Sequence, residues 1–359
     1  MKYYKTTLCS LFSILIILNS ASYLLSQSSR YKEEDLVKIW KTWLKKFPVP
    51  KDAIKLEVKQ SFPSEDLYEK GVYLWRPIGL NSLLNGNIVV YDQKACHILM
   101  FDQQGTYIRK IGKRGQGPGE FSNIRCLSAT PKSIIVGDTG NMRLQFFDLK
   151  GNYVRSFRIF KALRDIAISN NELIYAVPLR SHPESPLVDI LDNTGKLLTS
   201  FGEARFGSKS NWMIPNMIMI SINDKDEFFI AYESFPLVSK YSKKGDLLAE
   251  YKLKHIVMRE KEKINLDRIK KKKPLMTVIF SIRASKEGFY ILQNFPRTEI
   301  LEYDNNGRLR NYYYYEYENE AYDTFFGDFF VIEKEGQKTF YLLKKVPENK
   351  IVILRPKKI

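Results

Sequence analysis

One local pattern recurs through this chain and limits what it can fold into. An apolar alternating run ends in a polar cluster, a glycine follows, and a second apolar run begins. Ile98-Leu99-Met100-Phe101-Asp102 leads to Gly105 and then Tyr107-Ile108, and Leu144-Gln145-Phe146-Phe147-Asp148 leads to Gly151 and then Tyr153-Val154. Val188 to Asp192 precedes Gly195, Val238 to Ser242 precedes Gly245, and Ile300 to Asp304 precedes Gly307. Alternation at period two marks strands with one buried face, and a glycine able to take positive φ marks the tight turn of a hairpin. The marker glycines lie 46, 44, 50 and 62 residues apart. Four short strands with their turns occupy about 40–50 residues, the length of one propeller blade.

The expected fold is therefore all-β, a six-bladed propeller of four-stranded antiparallel blades. Blades are placed at 71–112, 113–159, 160–204, 205–256, 274–315 and 316–359, the last closed by a strand within 51–62. Five come from the hairpins and the sixth from the strand-rich tail, Phe329–Ile332, Thr339–Lys344 and Lys350–Leu354. Joining the two ends of the chain in one blade removes exposed sheet edges. The 13% aromatic content, with 22 Tyr and 22 Phe, suits pleated, half-buried surfaces. The charged segment Arg259–Pro274 reads as an insertion between the fourth and fifth blades. No strongly periodic helix is expected after Leu56. In the run from Tyr312 to Glu318, strand alternation sends every second Tyr into the packing between blades and leaves the others as a candidate aromatic platform.

One blade carries a more specific signature. Gly115-Gln116-Gly117-Pro118-Gly119-Glu120-Phe121 precedes a strand, followed by Ile134 to Asp138, then Asn141-Met142-Arg143, and Phe147-Asp148 ahead of Gly151. This segment resembles an NHL repeat, and the whole chain resembles divergent bacterial NHL-like propellers with six blades, many without an assigned activity. The residues themselves have fold-level roles. Gly115, Gly117 and Gly119 allow a sharp passage between blades, Pro118 fixes one φ, and Asp138, Asn141 and Arg143 hold a turn. The glycine spacing matches neither the P-loop nor the dinucleotide fingerprint.

Ahead of the propeller, residues 1–28 have a basic start (Lys2, Lys5), an apolar stretch from Leu8 to Leu18 and a small, polar segment to Ser29. That is the layout of a secretory signal peptide or an uncleaved anchor, and it predicts export to the periplasm, cell envelope or exterior. Residues 29–50 read as an amphipathic helix with its linker. Leu36, Ile39, Trp40, Trp43, Leu44 and Phe47 recur at three- and four-residue steps. The helix is expected to pack on the propeller, with contact to a membrane surface as the alternative. Cys96 and Cys126 are two thiols that need not pair, and three His (His97, His182, His255) are too few for a zinc cluster. No cofactor is expected, although a divalent metal in the channel is kept open.

Function in a propeller concentrates on the loops entering the innermost strands. Polar residues fall there at Arg76, Asn123, Arg125, Arg164, Asp165, Asn216 and Asp328. Three arginines converging on one opening make a pocket for a carboxylate, sulfate or phosphate. The competing reading pairs each arginine with a carboxylate of a neighbouring blade. The candidate ligand-binding residues are thus Arg76, Arg125, Arg164, Asp165 and Asn216. The net charge of +17 favours acidic partners, but no RNP-type segment points to nucleic acid. The resulting expectation is a monomeric, non-catalytic binding or scaffold module for an anionic ligand, a polysaccharide or a protein. A metal-dependent hydrolase or lyase of the lactonase-like kind and an RNA-binding NHL propeller are the alternatives.

Overall fold

A computed structural model describes residues 33–357 apart from 180, 181, 183, 208–212, 317–324 and 347. The expected signal segment lies outside the described residues. So do Tyr317 and Glu318.

The described chain is mostly antiparallel four-stranded sheets in a propeller arrangement. Four sheets stand alone: β2–β5 (Pro77–Ser82, Ile88–Asp92, His97–Phe101, Tyr107–Ile111); β6–β9 (Ile124–Ala129, Ser133–Asp138, Arg143–Asp148, Tyr153–Arg158); β10–β13 (Leu163–Ile168, Ile174–Pro178, Val188–Leu191, Leu197–Phe201); and β14–β17 (Ile218–Ile222, Phe228–Tyr232, Leu237–Tyr241, Leu247–Lys252). The remaining eight strands form one sheet. Strands β18–β21 (Ser281–Ser285, Gly288–Gln293, Thr298–Asp304, Leu309–Tyr315) continue into β1 (Ile54–Phe62) and then β24, β23 and β22 (Lys350–Pro356, Gln337–Val346, Phe325–Lys334). Strand β1 runs antiparallel to β24, Leu56 opposite Pro356 and Phe62 opposite Ile351. It also touches β21 in parallel over Ile54 and Lys55, and this short pairing fuses two sheets into one. The first strands contact one another in the order β2, β6, β10, β14, β18, β22 and back to β2.

The marker turns are built alike. Asp102 Oδ1 accepts the Gln104 and Thr106 N–H groups, Asp148 Oδ1 those of Lys150 and Asn152, Asp192 Oδ1 those of Thr194 and Lys196, and Asp304 Oδ1 those of Asn306 and Arg308. Ser242 does the same with its hydroxyl. Each turn glycine has positive φ, from 72° at Gly307 to 91° at Gly245. Each also lies against the outer strand of the preceding sheet. A Cβ on Gly151 would meet Ile111, on Gly195 Phe157, on Gly245 Phe201 and on Gly307 Tyr251. Gly105 meets Phe62 of β1 in the same way, which makes β1 the outer neighbour of the first sheet. Buried aromatic and aliphatic side chains fill the space between sheets, as where Tyr175, Phe201 and Phe228 pack with Ile230.

Helix α1 (Glu33–Lys46) lies within the expected helix. Its aromatic face rests on the propeller with Trp40 and Trp43 half-buried: Trp40 Nε1 donates to the Pro296 carbonyl at 2.7 Å, and the Trp43 ring packs 5.0 Å from Phe295. No helix among the described residues is long and apolar enough to cross a membrane.

Two helices appear where no helix was expected, the five-residue α2 (Glu65–Glu69) and the longer α3 (Ile256–Lys270). The inserted segment is thus helical, and the first strand of the blade placed at 274–315 begins at Ser281. Helix α3 escaped detection because its buried side chains include Lys261 and Asn265 beside Val257 and Met258, so no apolar stripe marks it. Lys261 Nζ donates to Gln293 Oε1 at 2.9 Å and the Asn294 carbonyl at 2.8 Å. Asn265 Nδ2 donates to the Ser234 and Met276 carbonyls, both at 2.8 Å. Buried Glu299 accepts from Gln293, Arg297 and Tyr312, and His255 lies 3.4 Å away. In the described part of the tyrosine run, Tyr312 and Tyr313 are buried in this packing, and Tyr314 and Tyr315 are half-buried.

Candidate binding site at the channel mouth

The loops that deliver the chain to its inner strands are fixed by carboxylates at the ends of the second strands. Asp92 is fully buried and its Oδ2 accepts the N–H groups of Trp75 and Arg76. Asp138 is likewise buried, and its Oδ1 accepts those of Ser122 at 3.0 Å and Asn123 at 3.1 Å. Its other oxygen takes Asn141 Nδ2 at 2.7 Å and Arg143 Nε at 3.1 Å. Arg143 then reaches the Gly117 and Glu120 carbonyls, and Asn141 the Gly115 carbonyl. Gly115 N–H donates to Phe121, Gly117 N–H to the Glu120 carboxylate and Gly119 N–H to Gln145. All three glycine donors beside Pro118 are therefore engaged within the protein.

The inner strands surround a cavity of about 1500 Å³. Six cations line it, Arg76, Lys94, Arg125, Arg164, Arg283 and Lys345, against three carboxylates, Asp165, Glu233 and Asp328. The carboxylates are all engaged. Glu233 pairs with Arg164 across neighbouring sheets, and Arg164 Nε also donates to the Ile218 carbonyl at 3.2 Å. Asp328 takes Arg283 Nη2 on both oxygens at 2.7 Å, with Ser281 and the Leu80 N–H. Asp165 accepts the Ile220 N–H at 3.0 Å and the Ile166 N–H at 2.9 Å. Burial pushes its carboxyl up to about 6, against these bonds and the pull of Arg283 and Arg164. Lys345 donates to the Pro77 carbonyl, and burial holds its ammonium down at about 8.

Of the two cavity arginines whose guanidinium is tied to no carboxylate among the described residues, Arg76 is exposed and Arg125 is the more deeply set. It is half-buried, and among the described residues its guanidinium has neither an ion pair nor a hydrogen bond. Burial lowers its pKa, and the cations of Arg164 and Arg76 lower it further. A half-desolvated guanidinium facing like charges is a standing electrostatic cost that a bound anion relieves.

Four of the five sequence-derived candidates, Arg76, Arg125, Arg164 and Asp165, meet in this cavity. Asn216 does not line it. Its buried amide caps a neighbouring loop, Oδ1 accepting the Arg205 and Phe206 N–H groups and Nδ2 donating to the Phe206 carbonyl. Position at a strand entrance identified it, but side-chain direction turned it inward. Glu233, Arg283 and Lys345 were missed because each lies in a different segment from the entrance it serves. None of the three His lines the cavity, and the two described cysteines, Cys96 and Cys126, are free thiols. Among the described residues no cluster of three His, Cys, Asp or Glu is placed to hold a metal.

Several solved structures share this fold. A protein of Bacteroides fragilis assigned as exported is 12% identical over 87% of this chain and 98% of its own, with a TM-score of 0.57. A DUF4221 member from Bacteroides vulgatus is 11% identical over 86% and 99%, with a TM-score of 0.55. A catalytically inactive His-to-Ala form of virginiamycin B lyase from Staphylococcus aureus, solved with quinupristin, is 10% identical over 84% and 100%, at 0.51. At these identities the likeness is one of fold. No curated protein sequence matches the chain. A family model does match, across residues 77–322, from the first inner strand to beyond β21. The chain therefore belongs to DUF4934, a domain family of unknown function.

Proposed function

We propose that this protein is an exported six-bladed, NHL-like propeller that binds an anionic ligand at the mouth of its central cavity without transforming it. The six-blade count treats the eight-stranded sheet as two blades joined by the β1–β21 contact, and the ring order of the first strands supports it. The signal-like residues 1–28 support export, as does the fold shared with a Bacteroides protein assigned as exported. The observation that carries the binding role is Arg125, an unpaired guanidinium in a cavity whose carboxylates are all engaged. The three carboxylates of the cavity, Asp165, Glu233 and Asp328, are each tied to protein groups, which favours a role in shaping the site over one in proton transfer. Arg164 and Asp165 shape the site, and Arg76 is the second contact for the anion.

Calorimetric titration with sulfate tests the reading. Arg125→Ala is expected to abolish binding, and Arg125→Lys to weaken it about tenfold by losing the planar fork while keeping the charge. The Ala variant should melt no lower than the parent protein, because it removes a cation held among cations. Undiminished sulfate binding by Arg125→Ala would overturn the assignment.

A further inference from the structure

An exposed aromatic pair stands at the rim of the cationic mouth. Trp75 is 55% exposed and Tyr73 42%, with their rings edge-on at 5.9 Å. The Trp75 backbone is held rigidly from two sides. Its N–H goes to buried Asp92, and Asn349 Nδ2 donates to its carbonyl at 3.1 Å. A tryptophan that contributes little to the core yet sits on a pinned backbone beside a cavity is a presented surface. Lys94 Nζ sits over one face of the ring, 4.2 Å from its centre, so a stacked ligand would take the opposite face, and Arg76 and Arg125 line the same cavity.

We infer that the anionic ligand is an acidic oligosaccharide, one sugar ring stacked on Trp75 and a carboxylate or sulfate engaged by Arg76 and Arg125. This rests on the anion-binding reading above. The electron-rich indole face attracts the weakly positive C–H faces of a pyranose, and the adjoining cations select the charged substituents. Neutral polar groups in the same cavity, among them Gln93, Asn81 and Thr277, suit hydroxyls. A nucleotide would share the charge. However, Tyr73 stands edge-on to Trp75, so the pair offers no parallel slot to sandwich a base.

The test compares sulfate, tetragalacturonate, a sulfated chondroitin tetrasaccharide and AMP, titrated into the full exported chain and its Trp75→Ala and Trp75→Phe variants. At least one tetrasaccharide should bind ten or more times tighter than sulfate. Trp75→Ala should remove that advantage while leaving sulfate binding intact, and Trp75→Phe should restore most of it. If sulfate binds but neither tetrasaccharide improves on it, or Trp75→Ala changes nothing, the oligosaccharide inference fails and the anion site stands. If AMP binds tighter than both sugars through Trp75, the ligand is a nucleotide. If nothing binds, the anion reading falls as well.

Discussion

At the scale of single residues, Asp165 governs how much positive charge the mouth presents. Its half-buried carboxyl lies beside Arg164 and Arg283 and is bonded to two backbone N–H groups, and desolvation moves it from the usual 3.8 to about 6. Protonating it removes a negative charge from a cavity that otherwise holds six cations and two carboxylates. Sulfate keeps its charge over this range, so its affinity should rise as pH falls through about 6. Asp165→Asn should bind as tightly at pH 7.5 as the parent does at pH 5, with a flat profile between. The same shift affects folding. The folded state holds a proton at Asp165 that the unfolded chain releases between about pH 4 and 6, so this group stabilises the fold increasingly as pH falls through that window. Denaturant midpoints of the two proteins from pH 7 to 4 would show the difference.

At the scale of elements, α3 is attached by polar groups where an apolar face would be ordinary. Lys261 is fully buried, and burial depresses its ammonium from 10.5 to about 7. Unfolded chain therefore binds a proton between about pH 7 and 10.5 that the folded chain does not, and stability should rise with pH across that range. Lys261→Met should flatten the rise, as followed by urea unfolding at pH 7, 8, 9 and 10. Lys261→Ala should cost about 1–3 kcal/mol, because Gln293 Oε1 and the Asn294 carbonyl lose their donor. The hairpins were legible in sequence because strand alternation and turn glycines are local. Helix α3 was not, since its signal is a set of long-range bonds to Ser234, Gln293 and Asn294. The site was half legible on the same grounds. Arg76, Arg125, Arg164 and Asp165 sit where inner strands begin, while Glu233, which engages Arg164, belongs to another sheet and only the fold brings it near.

At the scale of the molecule, neighbouring sheets are keyed to one another by a glycine against a large side chain. Gly105 and Gly336 separate this keying from backbone strain. Both have positive φ, 79° and 74°, but a Cβ on Gly105 would fall 2.5 Å from Phe62 while one on Gly336 meets nothing within 4 Å. Gly336→Ala should therefore cost about 1 kcal/mol, and Gly105→Ala about 2–4 kcal/mol with the added clash at the joint between the first sheet and β1. Equal losses in thermal unfolding would show that the joint does not bear on stability.

That joint also imposes an order of assembly. Strand β1 is made before every other strand, yet its antiparallel partner β24 arrives some 290 residues later, at Lys350–Pro356. Until then Phe62 has no completed sheet to belong to, and the unpaired edges of the nascent strands remain open. A chain delivered from its N-terminus, by ribosome or by translocase, must hold its first strand in reserve until its last has emerged. Completion is thus a single late event, and any partner that shields β1 in the interval would govern the yield of native protein without touching the finished fold.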